Sequence, residues 1–129
     1  MVKRAVAASL LAAAAACAHA PPHEEGPPAR SSSGEVGVAS FYGKHFHGRT
    51  TASGERYDMH AFTCAHPSAP FGTRLRVTDL ESGRAVVVTV TDRGPFTGGR
   101  IVDLSLAAAR KLGMVKRGVT RVRVERVPE

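Results

Sequence analysis

Thr73-Arg74-Leu75-Arg76-Val77-Thr78-Asp79, a polar turn at Glu81-Ser82-Gly83, then Arg84-Ala85-Val86-Val87-Val88-Thr89-Val90-Thr91: the reading of this stretch decides the fold class. In the first run Leu75 and Val77 alternate with Arg74, Arg76 and Thr78. That is the period of two of a strand with one face on a core. In the second run Val86, Val88 and Val90 share a face. The small polar triplet between them is turn chemistry, so the two runs predict an antiparallel hairpin.

The pattern extends outward in both directions. Val119 to Val127 reads as a last strand, with Val122 and Val124 inward against Arg121, Arg123 and Glu125. Val36, Val38 and Ser40 alternate with small residues and predict a first strand beginning near Glu35. Ala61 to Cys64 is a short apolar piece, and Gly43 to Asp58 a long loop containing Gly43, Gly48 and Gly54. One helix stands out at Leu106 to Leu112, with Ser105 as N-cap and Gly113 as its stop. Five or six short strands and one short helix, with no βαβ rhythm, make a mainly β domain. Closure into a small barrel removes its exposed edges.

The N-terminal third is different. Lys3 and Arg4 precede an unbroken small or apolar run, Ala5 to Ala16, that ends at Cys17. The run is too short to span a bilayer, and it reads as an export signal over residues 1–16. Ala15-Ala16-Cys17 resembles a lipoprotein cleavage box, which makes Cys17 the expected lipidation site. Residues 17–34 are rich in Pro and Ser and read as a tether with a reach of roughly 50 Å when extended. The folded domain is then expected over 35–129. The formal charge is +7; without Lys3 and Arg4, 16 basic side chains stand against 11 acidic ones, or +5. The positives are scattered along strands, the pattern of a solvated sheet face, and no nucleic-acid partner is expected. With Cys17 acylated, Cys64 has no disulfide partner.

Chemistry is concentrated in Ser53-Gly54-Glu55, Thr63-Cys64-Ala65-His66 and Thr91-Asp92-Arg93-Gly94-Pro95-Phe96. Asp92 shares its parity with Val86, Val88 and Val90, so alternation predicts that it continues their inward face where the strand ends. A carboxylic acid at the mouth of an apolar barrel can serve as a proton donor. The other reading of Asp92 is a cap on the following turn. Glu55 is either a site carboxylate or a solvated loop residue. His66 is either a site imidazole or a partner for local backbone groups. Cys64 and His66 lie two apart and would share a face, which leaves a Cys-His nucleophile open beside the plainer reading of Cys64 as a small buried hydrophobe. His45, His47, His60 and His66 match no compact ligand spacing, so no metal and no cofactor are expected. Phe41, Tyr42, Phe46 and Tyr57 surround the glycine loop. Such rings either stack on sugar faces or fill the barrel's lid.

These residues also carry a resemblance. Gly37-Val38-Ala39-Ser40-Phe41-Tyr42-Gly43, Phe46 to Glu55, Tyr57-Asp58-Met59, Thr63 to His66, Pro70 to Thr73, Val90 to Phe96 and Arg100 to Ser105 together resemble the rare lipoprotein A (RlpA-like) domain. The resemblance covers residue 36 to the C-terminus. It implies a six-stranded double-psi β-barrel with pseudo-two-fold symmetry. It implies an envelope lipoprotein that acts as a lytic transglycosylase on peptidoglycan, cutting between N-acetylmuramic acid and N-acetylglucosamine in peptide-poor strands during daughter-cell separation. By motif, Asp92, Glu55 and His66 take the catalytic roles, with Phe41, Tyr42, Tyr57 and Arg93 assigned to substrate. A monomer anchored in the outer membrane and facing the periplasm is expected. Many relatives carry a SPOR domain; none is expected here, where Glu129 follows the last strand. A non-catalytic glycan-binding or wall-loosening module is the alternative.

Overall fold

The computed structural model describes residues 34–128. The expected signal segment, Cys17 and all of the tether but Gly34 lie outside the described residues. Six strands follow one another: β1 (Glu35–Phe41), β2 (Thr63–Ala65), β3 (Arg74–Asp79), β4 (Ala85–Asp92), β5 (Arg100–Leu104) and β6 (Thr120–Arg126). One helix, α1 (Leu106–Leu112), joins β5 to β6. The strands close in the order β1-β5-β2-β4-β3-β6. The β1–β5 and β2–β4 pairs are parallel and the other four antiparallel. Exchanging β1 with β4, β2 with β5 and β3 with β6 leaves both order and directions unchanged. This is the pseudo-two-fold of a double-psi barrel.

The hairpin forms as the alternation predicts, with Leu75 opposite Val88 and Val77 opposite Val86. Their side chains meet Val90, Val102, Leu104, Val122 and Val124 in one core. Ser105 caps α1 by accepting from the Ala108 N–H, and Gly113 ends it in the left-handed conformation. The helix closes the barrel with Ala108, Ala109 and Leu112. The strand at Arg100–Leu104 has no alternation to announce it, because Val102, Asp103 and Leu104 are all buried. Strands covered on both sides lose the polar face that makes period two visible.

The first strand presents a different face from the one its valines suggest. Val36 is 43% exposed, and Ala39 is the residue in the core. The reason is a close approach at Gly37, where a Cβ would lie 2.6 Å from Ile101 Cγ2. The small residues of β1 face inward so that Ile101 and Phe41 can pack against the core.

Asp79 is fully buried where β3 meets the turn. Its carboxylate accepts from Arg117 Nη2 (2.8 Å), Thr120 Oγ1 (3.0 Å) and the Glu81 N–H (2.9 Å). Burial by itself would raise Asp79, but Arg117, the Glu81 N–H and Thr120 outweigh it and hold the carboxyl below its ordinary 3.8. Stability from a lowered carboxylate is present above the ordinary value and lost as pH falls through the folded one. Arg117→Ala is therefore expected to destabilise the domain at pH 7, because it leaves the buried Asp79 carboxylate without its cation. In urea denaturation the difference from wild type should shrink as pH falls below the ordinary carboxylate range.

Candidate functional site

Parallel pairing of β2 with β4 carries one irregularity that builds the site. Cys64 pairs with Val90, but Ala65 pairs with Asp92. Thr91 is thus an extra residue on β4, a bulge that re-aims the residues after it. The inward parity expected for Asp92 is corrected by this bulge. Asp92 leaves the valine face and lines a cavity of about 220 Å³ with Tyr42, Phe46, Tyr57, Arg49, Thr50 and Thr51.

Three donors fix the Asp92 carboxylate. Oδ1 accepts from the Ala52 N–H and from the Arg93 N–H, each at 2.9 Å. Oδ2 accepts from the Tyr42 hydroxyl at 2.8 Å. The Ala52 donor comes from a tight excursion closed by Gly48 N–H to Tyr57 O, Tyr57 N–H to Arg49 O and Thr51 N–H to Glu55 O. Thr51 Oγ1 also donates to the Glu55 carbonyl at 2.7 Å, and the Ser53 N–H ties the tip to the Thr91 carbonyl. Tyr42, one residue beyond β1, packs edge-on against Tyr57 at 5.0 Å and tilted against Phe46 at 5.7 Å. Burial, then the bond to Asp92, then the charges of Asp92 and Asp103, push the Tyr42 phenol well above its ordinary value. It therefore remains a donor. Tyr57 is buried, which raises its phenol, and its oxygen accepts from the Leu106 N–H at the start of α1.

The other residues expected at the site are placed apart from the cavity lining. The Glu55 side chain is exposed and has no hydrogen-bond or ion-pair partner among the described residues. His66 follows β2 with its side chain only 12% exposed. Its Nδ1 accepts from the Ser68 and Ala69 N–H groups, so the ring proton sits on Nε2, which faces Glu35 Oε1 at 3.4 Å. His66 reaches Asp92 through backbone only, its N–H donating to the Asp92 carbonyl. Phe41 packs on the core. Arg93 lies 4.1 Å from the Phe71 ring centroid and donates to the His66 carbonyl.

Asp103 gave no signal of its own in the sequence, because it sits in the fully covered β5. Ala65 pairs with Asp92 on one side and with Asp103 on the other. The Asp103 carboxylate accepts from Ser40 Oγ and from Arg100 Nη2. Both acids thus flank one methyl side chain, and both charges act on Tyr42. Among the described residues no three His, Cys, Asp or Glu side chains gather as a metal would require.

Cys64 lies in the core, whereas the His66 ring is bonded to the Ser68 and Ala69 N–H groups and faces Glu35. Cys64 is free and enclosed in the core. Burial, with the nearby Asp103 charge, pushes its thiol up to about 12. Ellman's reagent at pH 8 is expected to label it only as fast as the domain unfolds. Rapid labelling of the native protein would restore the Cys-His reading.

Residues 34–124 match the family described as lytic transglycolase. The endolytic peptidoglycan transglycosylase RlpA of Neisseria meningitidis is 53% identical over 93 residues, covering 72% of this chain and 39% of that protein. The protein of the same name from Pseudomonas aeruginosa is 52% identical over 90 residues, covering 70% and 26%. The chain thus spans less than half the length of these curated relatives. Among solved structures, an expansin of Clavibacter michiganensis aligns with TM-score 0.58 at 28% identity, over 73% of this chain and 50% of that one. The Streptomyces papain inhibitor shares the fold, with TM-score 0.60 at 24% identity over 76% of this chain and 97% of that one.

Proposed function

This chain belongs to the lytic transglycolase family of double-psi β-barrels, and from that premise we propose that it is an endolytic peptidoglycan transglycosylase. Its substrate would be the peptide-poor glycan strand, cut between N-acetylmuramic acid and N-acetylglucosamine. The observation that carries the reading is a carboxyl group held by three donors in a cavity walled by aromatic rings.

In this reading Asp92 gives a proton to the glycosidic oxygen as the bond from the muramic anomeric carbon breaks. The C6 hydroxyl oxygen of the same muramic residue bonds to that carbon, and its proton returns to Asp92. No water is consumed, and the product is a 1,6-anhydro end. An intramolecular attack of this kind gains on the order of 7–11 kcal/mol from orientation when well aligned, so the paired carboxylates of a hydrolase are not required. Oδ1 is occupied by two backbone donors, which leaves Oδ2 as the oxygen that carries the proton. Tyr42 holds Oδ2 in place. His66 would act as a positioning residue through its backbone bond to Asp92 and its two bonds to the following turn. Glu55, on the excursion whose Ala52 N–H holds Asp92, would meet the sugar from the solvent side. Arg93 orients the same turn, and no cofactor is needed.

We further propose that the protein works in the cell envelope in wall remodelling and daughter-cell separation. It would be a monomer, tethered by residues 17–34 to a lipid on Cys17 in the outer membrane. A non-catalytic, wall-loosening module is favoured by one observation, the likeness to an expansin.

Mass spectrometry of peptide-free and peptide-bearing glycan after incubation separates the two. Wild type is expected to release anhydromuramic ends, and Asp92→Asn to bind glycan without releasing them. Full turnover by Asp92→Asn would sink the assignment; intact glycan with wild type would favour the binding module. Tyr42→Phe keeps the ring and removes one hydrogen bond to the Asp92 carboxyl, so kcat should fall up to about tenfold, with KM little changed.

A further inference from the structure

We propose that Phe96 is a stacking platform for pyranose rings of the glycan strand beyond the ring held in the cavity, an inference that rests on the glycan-cleaving reading. The cavity beside Asp92 measures about 220 Å³. That is smaller than the roughly 300–1,000 Å³ that encloses a drug-sized ligand. It has room for about one sugar ring, whereas a strand cut internally continues on both sides of the broken bond. The neighbouring rings must rest on open surface.

The aromatic inventory leaves one ring for that task. The chain holds five Phe, two Tyr and no Trp. Tyr57 is buried and its oxygen is bonded to the Leu106 N–H. Tyr42 is bonded to Asp92 and packed between Tyr57 and Phe46. Phe41 packs on the core. Phe46 meets Tyr42, His45 and Arg49. Phe62 has the Lys111 ammonium 5.6 Å from its centroid, and Phe71 has the Arg93 guanidinium at 4.1 Å. Among the described residues Phe41 and Phe96 have neither an aromatic nor a cationic partner; Phe41 is taken up by the core, whereas Phe96 is 79% exposed.

A single exposed apolar side chain is ordinary on a protein surface; the position of this one is what sets it apart. Gly94 and Pro95, immediately before it, are buried, so the ring stands on a fixed base. The ring folds back toward Gly94, where a Cβ would lie 3.7 Å from Phe96 Cε2. Gly94 has φ of +114°, a conformation that side-chain-bearing residues rarely adopt. Gly94 is two residues from Asp92, at most about 7.6 Å from it between Cα atoms. An open aromatic face therefore stands on Gly94, two residues along the chain from Asp92, where the apolar C–H face of a pyranose can lie on it.

Phe96→Trp tests this directly, since it introduces the only indole in the protein. Its emission is expected to change saturably with peptide-free glycan strands and to stay constant with a single disaccharide. Phe96→Ala is expected to weaken strand binding, and raise KM on strands, about tenfold, while disaccharide binding and kcat are retained. The platform is overturned if strands bind with no change in Phe96→Trp emission, or if Phe96→Ala binds strands like wild type. Should wild type release no anhydro end while the Phe96→Trp emission responds, the enzymatic reading falls and the platform stands. If strands fail to bind the wild-type protein at all, both fall.

Discussion

A strand that pairs in parallel with its neighbour cannot be joined to it by a tight turn. Two of the six ladders of this barrel are parallel, and in the strand order only β3 and β4 are both consecutive and adjacent. Every other connection must cross an end or a face of the barrel. The excursion from β1 to β2 is the longest, and its backbone bonds bring it onto the end of β4. The cavity is a consequence of that routing.

The same parallel pairing sets the chemistry of Asp92. One extra residue, Thr91, turns the carboxylate off the core face, and three donors then receive it: Tyr42 just after β1, Ala52 further along the excursion and Arg93 just past the end of β4. A proton donor fixed before substrate arrives needs little reorganisation at the moment of reaction. Asp79 marks the contrast. It is equally tied down, but by a guanidinium in a fully enclosed place, where an ion pair would have to break before any proton could move. Among the described residues no cation pairs with Asp92. The fully buried acid is held by a cation, and the partly buried one by uncharged donors.

Aromatic rings divide in a similar way. Tyr42 and Tyr57 turn their oxygens toward Asp92 and α1 and pack their rings against each other. They shape the cavity wall. Of the rings outside it, Phe41 packs on the core, Phe71 and Phe62 face Arg93 and Lys111, and Phe96 is the most exposed. The rings closest to Asp92 are therefore mostly packed against one another, and the most exposed ring lies four residues after it.

Much was legible in the chain itself. The β3–β4 hairpin, the last strand and the capped helix are local. Their alternation, turn and cap residues act over a few positions, and the structure keeps them. Asp92 as the acid at a strand end was legible for the same reason, and so was the family, because its motifs are ordered along the sequence. Its side-chain direction was not, because a bulge belongs to the pairing of two strands and leaves no mark in the alternation of one. The inward face of β1 depends on Ile101, 64 positions after Gly37. The burial of β5 depends on what covers both its sides, and Asp103 stays hidden within it. The separation of Cys64 from His66 depends on what surrounds each, the core about Cys64 and Glu35 with the Ser68–Ala69 turn about His66. Sequence determined most of the elements and the family, since propensity and motif are local. Tertiary structure alone decided which groups face one another, since register and crossover are properties of strands far apart in the chain.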